Sequence, residues 1–251
     1  MRLTVVGAGP AFSDDPGAVG ACYLVLSGEK AIALDLGHGA FAGLAARFPP
    51  ERLESVLISH LHPDHFVDLV PLRHFLRYHL KPPRRLRIDA HPDLAARLDG
   101  LHAETGFTAA ALDVVTLEPG VRTLGPFTVE AVRVTHTADS YAFRVSVEEA
   151  DRAGRGLVYS GDLGEAGGLR DFVRRGDTLL IEVSFGAGPV PAGSAHLDGG
   201  AVGALAAETG AGRVLLTHLL MGHDPLEVIQ SVRERFAGPV ELVAPGFETE
   251  V

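Results

Sequence analysis

Residues Ser59-His60-Leu61-His62-Pro63-Asp64-His65 place three imidazoles and a carboxylate within six positions, directly after an apolar run containing Leu53, Val56, Leu57 and Ile58. That run reads as a buried strand. Alternate residues of an extended segment point the same way, so His60 and His62 converge on one spot. Asp64 and His65 fall where the chain turns toward Phe66, Val67, Leu69, Val70 and Leu72, a helix-like spacing whose start aims them at a second spot. Neutral imidazole suits zinc, and carboxylate oxygen also admits iron or manganese. With no cysteine nearby, the pattern predicts an open, catalytic metal site rather than a closed, structural one. Surface histidines beside a helix start share the same spacing, so the motif needs support from elsewhere in the chain.

Three further candidates each follow a strand-like run: His136 after Phe127 to Val134, Asp162 after Leu157 to Ser160, and His218 after Val214 to Thr217. Strand ends in layered α/β proteins are where loops gather reactive side chains on a rigid support. Singly, each has a plainer reading, as a hydrogen-bonded histidine or, for Asp162 in Ser-Gly-Asp, a turn residue. Jointly they point to one site.

In this order the residues resemble the metallo-β-lactamase fold superfamily, and the resemblance spans nearly the whole chain. It narrows to the branch of RNase Z and small-molecule phosphodiesterases through Thr135-His136-Thr137-Ala138-Asp139-Ser140-Tyr141, Tyr159-Ser160-Gly161-Asp162, Glu182-Val183-Ser184-Phe185 and Ala195-His196-Leu197. The resemblance implies a two-metal centre. His60, His62 and His136 would hold one ion, Asp64, His65 and His218 the other, and Asp162 would bridge them, with Asp35 behind the site. It also implies two mixed β-sheets in a four-layer αββα sandwich, where periodicity alone gives only mixed α/β. His196 matches the position of a histidine beside the scissile phosphate, as general acid or transition-state donor, and Glu182 would orient it.

At 251 residues, 46% hydrophobic and 22% charged, the chain suits an α/β fold in a single domain spanning residues 1–251. Early strands are expected at Leu3–Val6, Ala21–Ser27 and Ala31–Asp35. Helices are expected at Asp93–Leu98 and at Gly200–Glu208, the latter capped by Asp198 and stopped by Gly210. No run of eighteen apolar residues occurs, and Leu3-Thr4-Val5-Val6 does not open like a signal peptide, so a cytoplasmic location without membrane contact is expected. Cys22 is the only cysteine, which excludes an internal disulfide and reads as a buried structural thiol. Gly7-Ala8-Gly9 is too incomplete for a dinucleotide loop, because Phe12 holds the third glycine position and Pro10 and Pro16 interrupt it.

Charge supports a hydrolase for small anions. Two divalent ions, most simply Zn2+, with Mn2+ or iron as alternatives, bring four positive charges. Asp64, Asp162 and a bridging hydroxide remove three, leaving a net positive centre. Metal hydroxide attack on a small phosphodiester is the favoured reaction, with Asp64, His196 and Glu182 as the catalytic set. Lactone, thioester or β-lactam hydrolysis is the enzymatic alternative, and an iron-containing redox or metal-binding protein the alternative from another class. tRNA is disfavoured as partner. Residues 137–161, 25 in all, leave no room for a long gripping arm between His136 and Asp162, and the net charge of −10 rises only to −6 with two divalent ions. The local basic run through Arg73, Arg77, Lys81, Arg84, Arg85 and Arg87 reads first as a solvated helix end and loop, and second as a phosphate grip. His74, His79, His91 and His102 read as surface or packing residues, His223 as a candidate for the pocket wall. Substrate, native metal and a homodimeric state are left open.

Overall fold

Several strand-forming runs are buried at nearly every position rather than at alternate ones, as in Cys22–Ser27, Ser140–Ser146 and Thr178–Glu182. Such strands need cover on both faces. In the computed structural model, which describes residues 1–148 and 154–251, they lie in two seven-stranded sheets, counted among the described residues. The first sheet runs β14 (Glu248–Glu250), β1 (Arg2–Gly7), β2 (Cys22–Ser27), β3 (Lys30–Leu34), β4 (Leu53–Leu57), β5 (Leu86–Ala90), β6 (Leu112–Thr116). Its neighbours are antiparallel as far as β3 and parallel from there to β6. The second runs β13 (Val240–Leu242), β12 (Arg213–Thr217), β11 (Thr178–Glu182), β10 (Leu157–Tyr159), β9 (Ser140–Ser146), β8 (Phe127–Val134), β7 (Gly120–Leu124). Here β13 to β10 are parallel and β10 to β7 antiparallel.

Period-2 alternation sorts the apolar side chains into three cores. Ile32, Leu34, Phe143, Leu180 and Leu215 meet between the sheets. Leu24, Ala33, Val56 and Ile88 face outward from the first sheet, under α1 (Ala40–Arg47), α2 (Pro63–Phe66), α3 (Leu69–His74) and α4 (Leu94–His102). Leu179, Ile181, Val214 and Leu216 face outward from the second, under α5 (Gly199–Thr209) and α6 (Pro225–Arg233). The result is the four-layer αββα sandwich that the sequence resemblance implies.

Local expectations hold with adjustments. Asp198 caps α5 by accepting from the Ala201 N–H at 2.9 Å, and Gly210 closes it with φ 69°. The helix expected at Asp93–Leu98 starts at Leu94 and continues to His102, beyond its expected end. The spacing through Phe66–Leu72 is divided between α2 and α3, followed by a π-helical turn at Phe75–His79. Cys22 is wholly buried, and burial pushes its thiol pKa upward, as a structural thiol requires.

Most of the basic run is a solvated helix end and loop, and Arg73 departs from it. Arg73 is only 2% exposed, its Nε donates to the Phe107 carbonyl at 2.8 Å, and its guanidinium carbon lies 4.1 Å from the Phe107 ring centre. Arg85 pairs with Asp113, and Arg87 with Asp89 at 2.7 Å. Arg73 thus ties α3 to the loop before β6, and Arg85 reaches from the start of β5 to β6. Arg77, Lys81, Arg84 and Arg85 are exposed. Among the described residues no helix is long and apolar enough to cross a membrane.

Candidate metal centre

Parallel strands bring their carboxyl ends to one edge, and each candidate side chain sits at or just past such an end. Asp35 follows β3, His60 follows β4, Asp162 follows β10, Glu182 ends β11 and His218 follows β12. His136 follows β8, which runs in the same direction as β10 because both are antiparallel to β9. The segment after β4 is clamped to the β2–β3 hairpin. Asp64 O accepts from Ala21 N at 3.0 Å and His65 O from Leu36 N at 2.8 Å. Gly37 is required for this approach, since a Cβ there would stand 1.8 Å from the Asp64 carbonyl oxygen.

Two ligand groups result. Donor atoms of His60, His62, His136 and Asp162 lie within 4.8 Å of one another, and so do those of Asp64, His65 and His218. Asp162 faces both groups. Its Oδ2 is 3.8 Å from the Nε2 atoms of His60 and of His136, while its Oδ1 is 3.4 Å from His65 Nε2 and 3.6 Å from His218 Nε2. His60 Nε2 is buried without any hydrogen-bond partner, a costly arrangement unless a cation takes its lone pair. Imidazole and carboxylate donors in this grouping fit divalent metal ions.

The imidazoles are aimed from behind, as metal ligands commonly are. The Asp35 carboxylate, completely buried, accepts from Ser59 N (2.6 Å), Ser59 Oγ (2.8 Å), His65 Nδ1 (2.7 Å) and Tyr159 OH (2.5 Å). Fixing the proton on His65 Nδ1 leaves Nε2 with its lone pair toward the site. His136 Nδ1 donates to Ala195 O at 2.8 Å with the same effect. Backbone strain accompanies this positioning. Asp35 and His218 both adopt φ 59°, and outside glycine such conformations persist where the surroundings over-determine them.

Electrostatics divide the cluster. Burial, reinforced by neighbouring His65, keeps the His60 pKa well below the usual imidazole range, and burial with His136 lowers that of His62. Burial would raise Asp162, but His218 and His65 outweigh it and hold its carboxyl well below the usual range. For His65 burial acts downward, yet Asp162 and Asp35 raise it well above normal. Neutral imidazoles and ionised carboxylates are the forms a cation needs, so His60, His62 and Asp162 are ready for one, whereas His65 gives up its second ring proton on binding.

A second hydrogen-bonded unit stands beside the cluster. Glu182, 1% exposed, accepts through Oε1 from Leu163 N (3.1 Å) and His196 Nδ1 (2.9 Å), and through Oε2 from Ser184 N (3.0 Å) and Ser184 Oγ (2.6 Å). Ser184 Oγ also lies 3.2 Å from His218 Nδ1. The hydroxyl thus links the His196–Glu182 pair to a ligand-group histidine. Burial would lower the His196 pKa, but the Glu182 carboxylate outweighs it and raises it. The His196 ring packs 4.7 Å from that of His136, centre to centre.

All the residues singled out around the motif therefore meet at one place, except the basic run and His223. The His223 ring packs where a Cβ on Gly186 would fall and does not line the cavity over the metal groups. Gly7-Ala8-Gly9 supports the site only indirectly, the Ala8 carbonyl accepting from His218 N at 3.0 Å. Sequence reading missed Ser59, Tyr159, Ser184 and an apolar wall containing Phe12. Ser184 was detectable, since it lies two residues from Glu182 and so on the same side of an extended segment.

A family model for the β-lactamase superfamily domain matches residues 32–219. The uncharacterized protein ML1173 of Mycobacterium leprae is 32% identical over 98% of this chain and 87% of its own length. The probable metallo-hydrolase YhfI of Bacillus subtilis is 28% identical over the full length of both chains. A crystal structure of YhfI, described as a metallo-β-lactamase fold protein, superposes with a TM-score of 0.87 at 26% identity, covering 100% of this chain and 99% of its own. A diphosphatase of the PhnP family shares the fold at a TM-score of 0.74 and 15% identity, over 100% of this chain and 97% of its own.

Proposed function

The chain belongs to the β-lactamase superfamily and is a metallo-hydrolase, and from that premise we propose a binuclear enzyme, most simply with two zinc ions, that cleaves a small phosphodiester. The observation that carries this reading is the His196–Glu182 pair: a histidine beside the ligand groups, held by a buried carboxylate that favours its protonated form. Such a group suits protonation of a departing alkoxide. The strand pairing of β14 with β1, which joins the last strand to the first, supports residues 1–251 acting as one unit.

Bound at the two groups, paired divalent ions would supply a water acidified toward neutrality and Lewis-acid stabilisation of an in-line displacement. His60, His62 and His136 would hold one ion and Asp64, His65 and His218 the other, with Asp162 shared between them. Asp64 would also accept a hydrogen bond from that water, its carboxyl kept below the usual range: burial would raise it, but hydrogen bonding to His218 and the charge of His65 prevail. As the new P–O bond forms and the ester P–O bond breaks, His196 Nε2 gives its proton to the leaving oxygen. Glu182 stabilises the imidazolium before transfer and keeps the Nδ1 proton in place afterwards. The products are a phosphomonoester and an alcohol. A net charge of −10 and the structural use of Arg73, Arg85 and Arg87 support a small anion over tRNA as substrate.

His196→Ala tests this directly. The variant is expected to keep its metals and fold while turnover of phosphodiesters falls roughly a hundredfold or more, the usual scale for a general acid. The defect should grow for poor alkoxide leaving groups and shrink for nitrophenolate, which departs without a proton. An equal defect across that series rules out the acid role, and cleavage of lactones but not phosphodiesters rules out the substrate class.

A further inference from the structure

Above the ligand groups lies a cavity of about 430 Å³, within the size range of small-molecule sites. One side is polar, formed by ligand-group residues with His196 and Ser184. The apolar part of the lining is Ala11, Phe12, Pro63, Phe185 and Leu220. Phe12 is 60% exposed, in the connection between β1 and β2. A single exposed phenylalanine says little by itself. This one shares the cavity lining with Phe185, whose ring lies 6.1 Å from that of His196.

The lining also specifies what the wall does not receive. Among the described residues no lysine or arginine lines the cavity, so none of them there pairs with a second phosphate. We infer that the cavity takes a phosphodiester whose retained ester group is flat and aromatic, stacked against Phe12, and that Phe12 sets this preference. The inference deepens the phosphodiesterase reading and rests on it for the phosphate. An aromatic face favours a second ring over an aliphatic group of similar bulk by the extra energy of an aromatic pair, which corresponds to roughly a threefold to tenfold preference.

The experiment uses the zinc-loaded protein and 4-nitrophenyl phosphodiesters that differ only in the retained ester: methyl, cyclohexyl or phenyl. The phenyl ester is expected to exceed the cyclohexyl ester in kcat/KM by roughly threefold to tenfold. Phe12→Ala should bring that ratio close to one, and Phe12→Tyr should preserve it. In parallel, calorimetry with phenylphosphonate and cyclohexylphosphonate reads the same preference without turnover. Equal handling of phenyl and cyclohexyl groups, or a preference that survives Phe12→Ala, overturns the inference while leaving phosphodiester hydrolysis intact. Failure of the protein to bind either phosphonate also overturns it. If no phosphodiester is cleaved but phenylphosphonate binds more tightly in a Phe12-dependent way, the aromatic assignment stands and the reaction assignment falls.

Discussion

The two sides of the cavity are built on opposite terms. Behind the ligand groups, Asp35 is fully buried and receives four hydrogen bonds, Gly37 lets the Asp64 carbonyl approach, and two residues hold left-handed backbone conformations. Lining the cavity itself, Phe12 stands 60% exposed and His196 is partly open, tied mainly through Nδ1. The closed side fixes donor positions before anything binds, which favours metal affinity. The open side meets the substrate. Substitutions on the first should therefore damage metal binding and stability, and those on the second should change catalysis and preference.

The largest effect is expected at the closed side. Asp35→Ala strands Ser59, His65 and Tyr159 without their acceptor, so unfolding by denaturant should show a loss of about 3–5 kcal/mol together with weaker zinc binding. Asp35→Asn, which tolerates the positive φ, should recover part of the stability but little of the affinity. A stable Asp35→Ala variant with normal zinc affinity would erase the distinction between the two sides.

Ser184 lies on their boundary, and its effect should be smaller. Ser184→Ala removes the hydroxyl that lies between Glu182 and His218, so affinity for one of two zinc ions should fall by about tenfold, the lower end for such outer contacts. Competition with a chelator measures this without activity. If both zinc affinities stay unchanged while turnover falls, Ser184 acts on His196 alone.

The smallest change is expected in a pH profile. Burial lowers and Glu182 raises the His196 pKa, with the carboxylate prevailing. An acid whose pKa is raised stays protonated to higher pH, so removing the charge in Glu182→Gln should move the alkaline fall-off of kcat for an alkyl ester to lower pH. A shift to higher pH, or none, contradicts the coupling.

Much of the closed side was legible because its chemistry is crowded into short sequence. His60 to His65 supply four donors, and His136, Asp162 and His218 each follow an apolar run that marks a strand end. What supports them was less legible. Ser59 and Tyr159 act on Asp35 across 24 and 124 residues, contacts that only the sheet packing creates. Arg73 looked solvated because its neighbours are basic, whereas the structure buries it against Phe107. Phe12 gave no periodic signal, since it lies outside both helix and strand. Short β13 and β14, three residues each, are too brief for a pattern.

Zinc stoichiometry tests the central claim, a binuclear centre organised around Asp162, most directly. The metal-free protein, refilled with zinc at saturation and freed of excess, should hold two ions per chain by elemental analysis, and Asp162→Ala should hold fewer while remaining folded. A folded wild-type protein that saturates at one ion would contradict the account.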